Sequence, residues 1–168
     1  MNDKLQFVYS RRSIRRYNGQ MPDDEQINAL LKAGFCAPSS MALYPCHFVV
    51  IKEREKLKAI KGFHDKAIAL DTAPMAIIVC ADSDISPLSW RDDAAAATMN
   101  ILYAAVAMDI AACWHGIFPR EHRVEPMREL LSLPEKIVPY SMITLGFAND
   151  KKPPRERFDQ SFVHSEKW

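Results

Sequence analysis

The residues with the clearest chemical potential form one short run, Arg11-Arg12-Ser13-Ile14-Arg15-Arg16-Tyr17. Four guanidiniums and a hydroxyl packed this closely can grip a phosphate bidentately and hydrogen-bond its remaining oxygens. Exposed arginines in a helix-to-strand turn would look the same, so a second group has to decide between the two. One stands far away in sequence, in the basic, Pro-flanked segment Lys151-Lys152-Pro153-Pro154-Arg155-Glu156-Arg157. Two separated arginine groups can converge on one phosphate. The chain has only five glycines and contains neither G-x-G-x-x-G nor G-x-x-x-x-G-K-[ST], so neither a Rossmann fingerprint nor a P-loop accounts for such a phosphate. Two more segments offer ligand chemistry. Pro38-Ser39-Ser40-Met41 carries hydroxyls and free backbone groups, and Cys113-Trp114-His115-Gly116-Ile117 places a glycine where backbone can approach a flat ring closely. Phosphate at one end and a planar system at the other describe a mononucleotide cofactor.

Composition makes the arginine cluster a local device. The 168 residues are 48% hydrophobic with a formal net charge of +1, which gives no global pull toward nucleic acid or an acidic membrane surface. No second basic stripe or exposed aromatic series accompanies the cluster, which argues against nucleic-acid binding. A chain of this length is expected to form one domain over residues 1–168 and to bury roughly 70% of the surface its unfolded form exposes. Neither a signal-peptide pattern at Met1-Asn2-Asp3-Lys4 nor an apolar run of membrane-spanning length is present, so a cytoplasmic protein is expected. Cys36, Cys46, Cys80 and Cys113 are widely spaced, with no C-x-x-C and no His pair at zinc spacing, and read as four buried free thiols rather than a metal site.

The elements that must position these groups can be read from periodicity and breakers. Residues 3–11 read as a short helix with Leu5, Val8 and Phe7 toward a core, ending in the arginine run. Asp23 is placed to cap a helix running to about Cys36, with Gln26 as its capping-box partner and Ile27, Leu30, Leu31, Gly34 and Phe35 on one face. His47 to Ile51 reads as a central strand, residues 53–71 as one or two crossover helices, and Met75 to Cys80 as a second strand. Ser89 to Met108 reads as a long helix, apolar over most of its circumference, which asks for more cover than one chain supplies and points to a homodimer with this helix near the interface. Asp92 and Asp93 at its start favour its dipole. A helix over residues 124–132 and a third strand from Tyr140 to Phe147 follow. The polar tail carries Phe162, Val163 and Trp168 as isolated anchors that would embrace this subunit or a partner.

Taken together and in this order, the arginine run, the helix beginning at Pro22-Asp23, Ala37-Pro38-Ser39-Ser40 with Pro45 and its strand, the Ala-rich helix containing Asn100, Cys113-Trp114 with Gly116, and Leu145-Gly146-Phe147 before a basic tail resemble the FMN-dependent nitroreductase family. The resemblance implies an α+β fold, a central mostly antiparallel sheet flanked by helices, in an intertwined homodimer with two FMN molecules at the interface. It places Arg11, Arg12, Ser13 and Arg15 on the flavin's phosphate, ribityl chain and pyrimidine edge, with Arg155 and Arg157 closing on the phosphate. Pro38, Ser39, Ser40 and Met41 would come from the other subunit and line the ring. Cys113, Trp114, His115 and Gly116 would present backbone toward N5, while Arg15 would stabilise negative charge on the reduced ring. No side chain then needs to act as a nucleophile; His115 reads as pocket wall rather than proton donor, and Trp114 as core or pocket wall. The activity implied is hydride transfer from NAD(P)H to a nitroaromatic, quinone or similar small acceptor by alternating occupancy of one site. A reductive dehalogenase-like enzyme and a non-catalytic flavin-binding or redox-sensing module are the alternatives. The chain departs from the family at Ala42, Tyr44 and Cys46, where Asn, Gln and Trp are usual, which removes a polar contact to the flavin.

Overall fold

A computed structural model describes residues 5–149, 153 and 155–168. The expected helix start at residues 3 and 4, and Lys151, Lys152 and Pro154 of the second basic segment, lie outside the described residues. The elements are α1 (Gln6–Ser10), α2 (Asp24–Phe35), β1 (Cys46–Ile51), α3 (Arg54–Phe63), β2 (Met75–Asp82), α4 (Trp90–Ala107), β3 (Ala111–Gly116), α5 (Glu121–Leu131) and β4 (Ile137–Gly146). The four strands form one sheet in the order β1-β2-β4-β3, with every neighbouring pair antiparallel. Helices α2 and α4 cover one face through Leu30, Ile77, Ile101 and Ile143, and α3 and α5 cover the other through Leu57, Ile60, Ile78, Met127 and Met142. The α+β expectation, a sheet flanked by helices, holds.

Local signals that depend on a few neighbouring residues are realised closely. Asp23 caps α2, its carboxylate accepting the Gln26 N–H at 2.8 Å while the Gln26 side chain accepts the Asp23 N–H at 3.1 Å. Gly34 lets α2 approach its neighbours, since a Cβ there would stand 2.8 Å from the Phe48 ring and 3.0 Å from Ile101. Gly146 does the same for the arginine segment, with Pro74 at 2.7 Å and Tyr17 at 3.0 Å from a Cβ.

Four expectations are corrected. β1 is an edge strand rather than a central one, half-buried along most of its length, whereas β2 is buried throughout and shares the centre with β4. A fourth strand, β3, runs through Ala111–Gly116, an Ala-rich stretch with little intrinsic strand preference. α1 has no buried residue, and Leu5 and Phe7 are exposed. The expectation for α4 is not among them: within one chain it is buried on one face, through residues such as Ala94, Ala97, Ile101 and Ala105, while the apolar Ala95, Met99, Tyr103 and Val106 on the rest of its circumference are only half-buried, in keeping with a helix that asks for more cover than one chain supplies. Among the described residues no helix is long and apolar enough to cross a membrane. The fourth correction concerns the cysteines, expected to be four buried thiols: Cys80 and Cys113 are buried, but Cys46 is half-buried and Cys36, at the C-cap of α2, is exposed; none of the four is in a disulfide. Burial pushes the Cys46 thiol up to about 11 and Cys80 up to about 12, so both stay protonated at neutral pH.

Candidate functional site

The arginine run is extended chain laid against the sheet, and its apolar members are what hold it there. The Ile14 N–H donates to the Ala112 carbonyl at 3.0 Å, and the Asn18 N–H donates to the Phe147 carbonyl at 2.8 Å. Tyr17 is buried between these two points, its hydroxyl 2.9 Å from the Ile14 carbonyl oxygen and 2.8 Å from the Thr144 hydroxyl. Burial pushes the Tyr17 phenol well above its ordinary value, so it stays a neutral anchor. With Ile14 and Tyr17 fixed, Arg11, Arg12 and Ser13 face a cavity of about 950 Å³.

Both arginine groups meet in that cavity. Its lining includes Arg11, Arg12 and Ser13 from the N-terminal segment, Arg155 and Arg157 from the tail, and Met99, Leu102, Tyr103 and Trp114 from α4 and β3. The Arg12 guanidinium donates to the Pro153 carbonyl, which joins the two ends of the chain. Burial, then the like charges of Arg155, Arg157 and Arg11, push the Arg12 pKa below its ordinary value. Among the described residues no ion pair includes any of these four arginines. Mutually repelling guanidiniums at one end of an apolar-floored cavity call for an anion, and an aromatic ring system beyond it would lie on Trp114 and the α4 side chains.

Not every expected residue lies here. Trp114 lines the cavity, but Cys113 and His115, its neighbours on β3, point to the opposite face of the sheet, as alternation along a strand requires. His115 is buried, a ring nitrogen 3.1 Å from the Thr144 hydroxyl and its ring 5.9 Å from that of His64. Burial, helped by the charges of His64, Arg15 and Arg123, pushes its pKa down to about 4, which makes it a neutral core residue at pH 7. Behind the strand, His64 Nε2 lies 3.1 Å from the Gly116 carbonyl oxygen, and Arg123 donates to the same oxygen at 3.0 Å. Along the edge of β3 away from β4, the Ala112 carbonyl accepts the Ile14 N–H, and by strand alternation the backbone groups of Trp114 point the same way. Arg15 is exposed and does not line the cavity.

The loop Pro38-Ser39-Ser40-Met41 lies apart from the cavity of its own chain, at the start of α4. Asp93 accepts from the Ser39 hydroxyl at 3.0 Å and the Ser40 N–H at 2.9 Å, so it does more than complement a helix dipole. Met41, Ala42 and Tyr44 all have left-handed backbone, with φ of 51°, 55° and 49°. Each such non-glycine residue costs about 1 to 2 kcal/mol unless a local contact compensates. Asn tolerates this conformation far better than Ala, which gives a backbone reason for the Asn expected at position 42.

Residues that sequence reasoning missed are the α4 side chains Met99, Leu102 and Tyr103 and, from α1 and the tail, Tyr9 and Phe158. The spacing of the first three, i, i+3 and i+4, marks one helical face, but nothing local shows that this face meets a ligand rather than the sheet.

The fold and this cavity define a class. Residues 8–74 and 66–147 match the model of the Nitroreductase family, and the chain belongs to that family. It is 40% identical over 168 residues to a protein of Methanothermobacter thermautotrophicus provisionally named NADH dehydrogenase/NAD(P)H nitroreductase, covering 99% of this chain and 88% of the relative. A solved structure from Parabacteroides distasonis with the same provisional name superposes with a TM-score of 0.97 at 32% identity, covering 100% of both chains. An FMN-dependent nitroreductase from Clostridium difficile superposes with a TM-score of 0.91 at 28% identity, covering 98% of this chain and 99% of that one.

Proposed function

We propose that the protein is a cytoplasmic, homodimeric FMN oxidoreductase that takes hydride from NAD(P)H and passes it to a nitroaromatic, quinone or similar small acceptor, donor and acceptor occupying one site in turn. The observation that carries this reading is the convergence of Arg11, Arg12, Arg155 and Arg157 on one cavity floored by Trp114, Met99 and Leu102. The residues fit FMN. The guanidiniums, which form no ion pair among the described residues, match a phosphate dianion, Ser13 can hydrogen-bond the ribityl chain, and the apolar floor matches a flat ring. Bound there, FMN supplies a ring that accepts and returns hydride.

The chain's own groups then bind and orient. The four arginines hold the phosphate and set the register of the ring against β3. The outer backbone edge of that strand offers amide hydrogen bonding at the ring's reactive side, and a ring reaching past the cavity's lining toward the exposed Arg15 would meet positive charge at its pyrimidine edge. The half-buried apolar circumference of α4 and the exposed Phe158, Phe162 and Trp168 of the tail support a dimer in which each Pro38–Met41 loop serves the partner's cavity.

Purified protein is expected to be yellow, with its flavin absorption bleached by NADH or NADPH and restored by a nitroaromatic or quinone. Parallel double-reciprocal lines are expected when donor and acceptor are varied. A colourless protein that cannot be reconstituted with FMN overturns the reading. Turnover of a halogenated phenol without nitro-group reduction would move it to a dehalogenase.

A further inference from the structure

Asp92 and Asp93 stand side by side at the start of α4 and have opposite fates. Asp92 is exposed, where a carboxylate can complement the helix dipole at little cost, whereas Asp93 is 5% exposed. A carboxylate is buried at a large desolvation cost unless it is hydrogen-bonded, and Asp93 has no cation among the described residues. It is held by three donors instead. Its Oδ1 accepts the Ser40 N–H at 2.9 Å, and its Oδ2 accepts the hydroxyls of Ser39 at 3.0 Å and Ser86 at 3.2 Å. The Ser39 hydroxyl oxygen in turn accepts the Tyr44 N–H at 2.9 Å. One carboxylate thus ties the loop from Ser39 to Tyr44, directly and through one hydroxyl, and joins it to the segment that follows β2.

That loop needs a tether. Three of its residues, Met41, Ala42 and Tyr44, are left-handed without being glycine, and Met41 is 89% and Tyr44 64% exposed. Almost nothing in the loop is buried, so hydrogen bonds rather than packing hold its shape: the turn's own bonds from the Ala42 N–H to the Ser39 carbonyl and from the Leu43 N–H to the Ser40 carbonyl, both 3.1 Å, and the bonds to Asp93 that tie the turn to α4.

We propose that Asp93 is a positioning residue for the flavin site: its carboxylate holds the Ser39–Tyr44 loop in a pre-shaped, left-handed conformation so that Ser39, Ser40 and Met41 meet the flavin without prior ordering. This rests on the reading above that the Pro38–Met41 loop lines the flavin. A loop that is ordered only part of the time weakens apparent affinity by the fraction ordered.

The test compares the wild-type holoenzyme with Asp93→Ala, Asp93→Asn and Ser86→Ala, measuring FMN dissociation constant, acceptor KM and kcat, and amide exchange of residues 40–45. In Asp93→Ala, exchange of the loop is expected to accelerate, with the FMN dissociation constant and acceptor KM rising roughly tenfold and kcat at saturation little changed. Asp93→Asn can still accept the Ser40 N–H, and the serine hydroxyls can turn to accept from its amide, so it is expected to restore affinity and KM. Ser86→Ala keeps the fold even if Asp93→Ala does not, and is expected to speed loop exchange and raise KM about threefold. Wild-type protein that takes up no FMN refutes the flavin reading itself. Wild-type protein that binds FMN, beside folded Asp93→Ala or Ser86→Ala variants with unchanged loop exchange, affinity and KM, overturns the role of Asp93 alone.

Discussion

The cavity has two arginine groups, and they are built differently. Arg11 and Arg12 stand on a segment tied to β3 and β4 by backbone hydrogen bonds and by the buried Tyr17. Arg155 and Arg157 stand on a tail whose described residues are exposed; it is tied back through the Pro153 carbonyl, which accepts from Arg12, and otherwise by local bonds such as those of the Arg157 and Phe158 N–H groups, both donating to Glu156 at 2.9 Å. Residue type is the same on both sides, but preorganisation is not. A fixed guanidinium loses little freedom when it meets a phosphate, whereas one on a free tail loses backbone and side-chain entropy as well. The N-terminal group should therefore dominate affinity, with the tail acting as a closing jaw.

The strongest way to break that asymmetry is to remove the footing of the rigid side. Tyr17→Ala removes one hydrogen bond from the Thr144 hydroxyl and one from the Ile14 carbonyl and opens a cavity, and should cost about 3 to 5 kcal/mol in urea unfolding; a loss below about 1 kcal/mol would show that the segment is held elsewhere. Acid should act on the same footing through Thr144. His115 titrates near 4 in the folded protein and near 6.5 when unfolded, so the unfolded state binds the extra proton between those values. Stability contributed by this group is complete above about pH 6.5, falls as pH drops toward 4, and amounts to about 3 kcal/mol. His115→Gln should flatten that part of the stability profile, and an unchanged slope would remove His115 from the footing.

Smaller effects separate the jaws themselves. Arg11→Ala should lose about 1.5 to 3 kcal/mol of FMN binding, seen by titration of the apoprotein. Arg157→Ala should lose less, about 0.5 to 1.5 kcal/mol, because part of its contact energy is offset by ordering the tail. Equal losses at the two positions would mean that the tail is as preorganised as the sheet-bound segment.

How much of this was legible in the sequence followed from the range of the interactions involved. The Asp23 cap with Gln26, the ends of α4 and the run of β2 depend on neighbours a few residues apart, and they were readable. β3 was not, because its strand geometry is imposed by pairing with β4 and not by Ala111 or Ala112. The arginine groups could be nominated by composition, and their convergence could be suspected, but the Met99-Leu102-Tyr103 face of α4 carries no local mark of a ligand. Position Asp93 misled for a related reason: beside Asp92 at a helix start it looked like a dipole residue, and only burial and three donors from distant loops distinguish it.

The central claim is that these arginines hold a phosphate on a flavin. Titrating the apoprotein with FMN and with riboflavin, which differ by that phosphate alone, tests it most directly. FMN should bind at least about 100-fold more tightly than riboflavin, the equivalent of two charge-assisted contacts, and Arg11→Ala should erase most of the difference. Equal affinity for the two flavins would contradict the account.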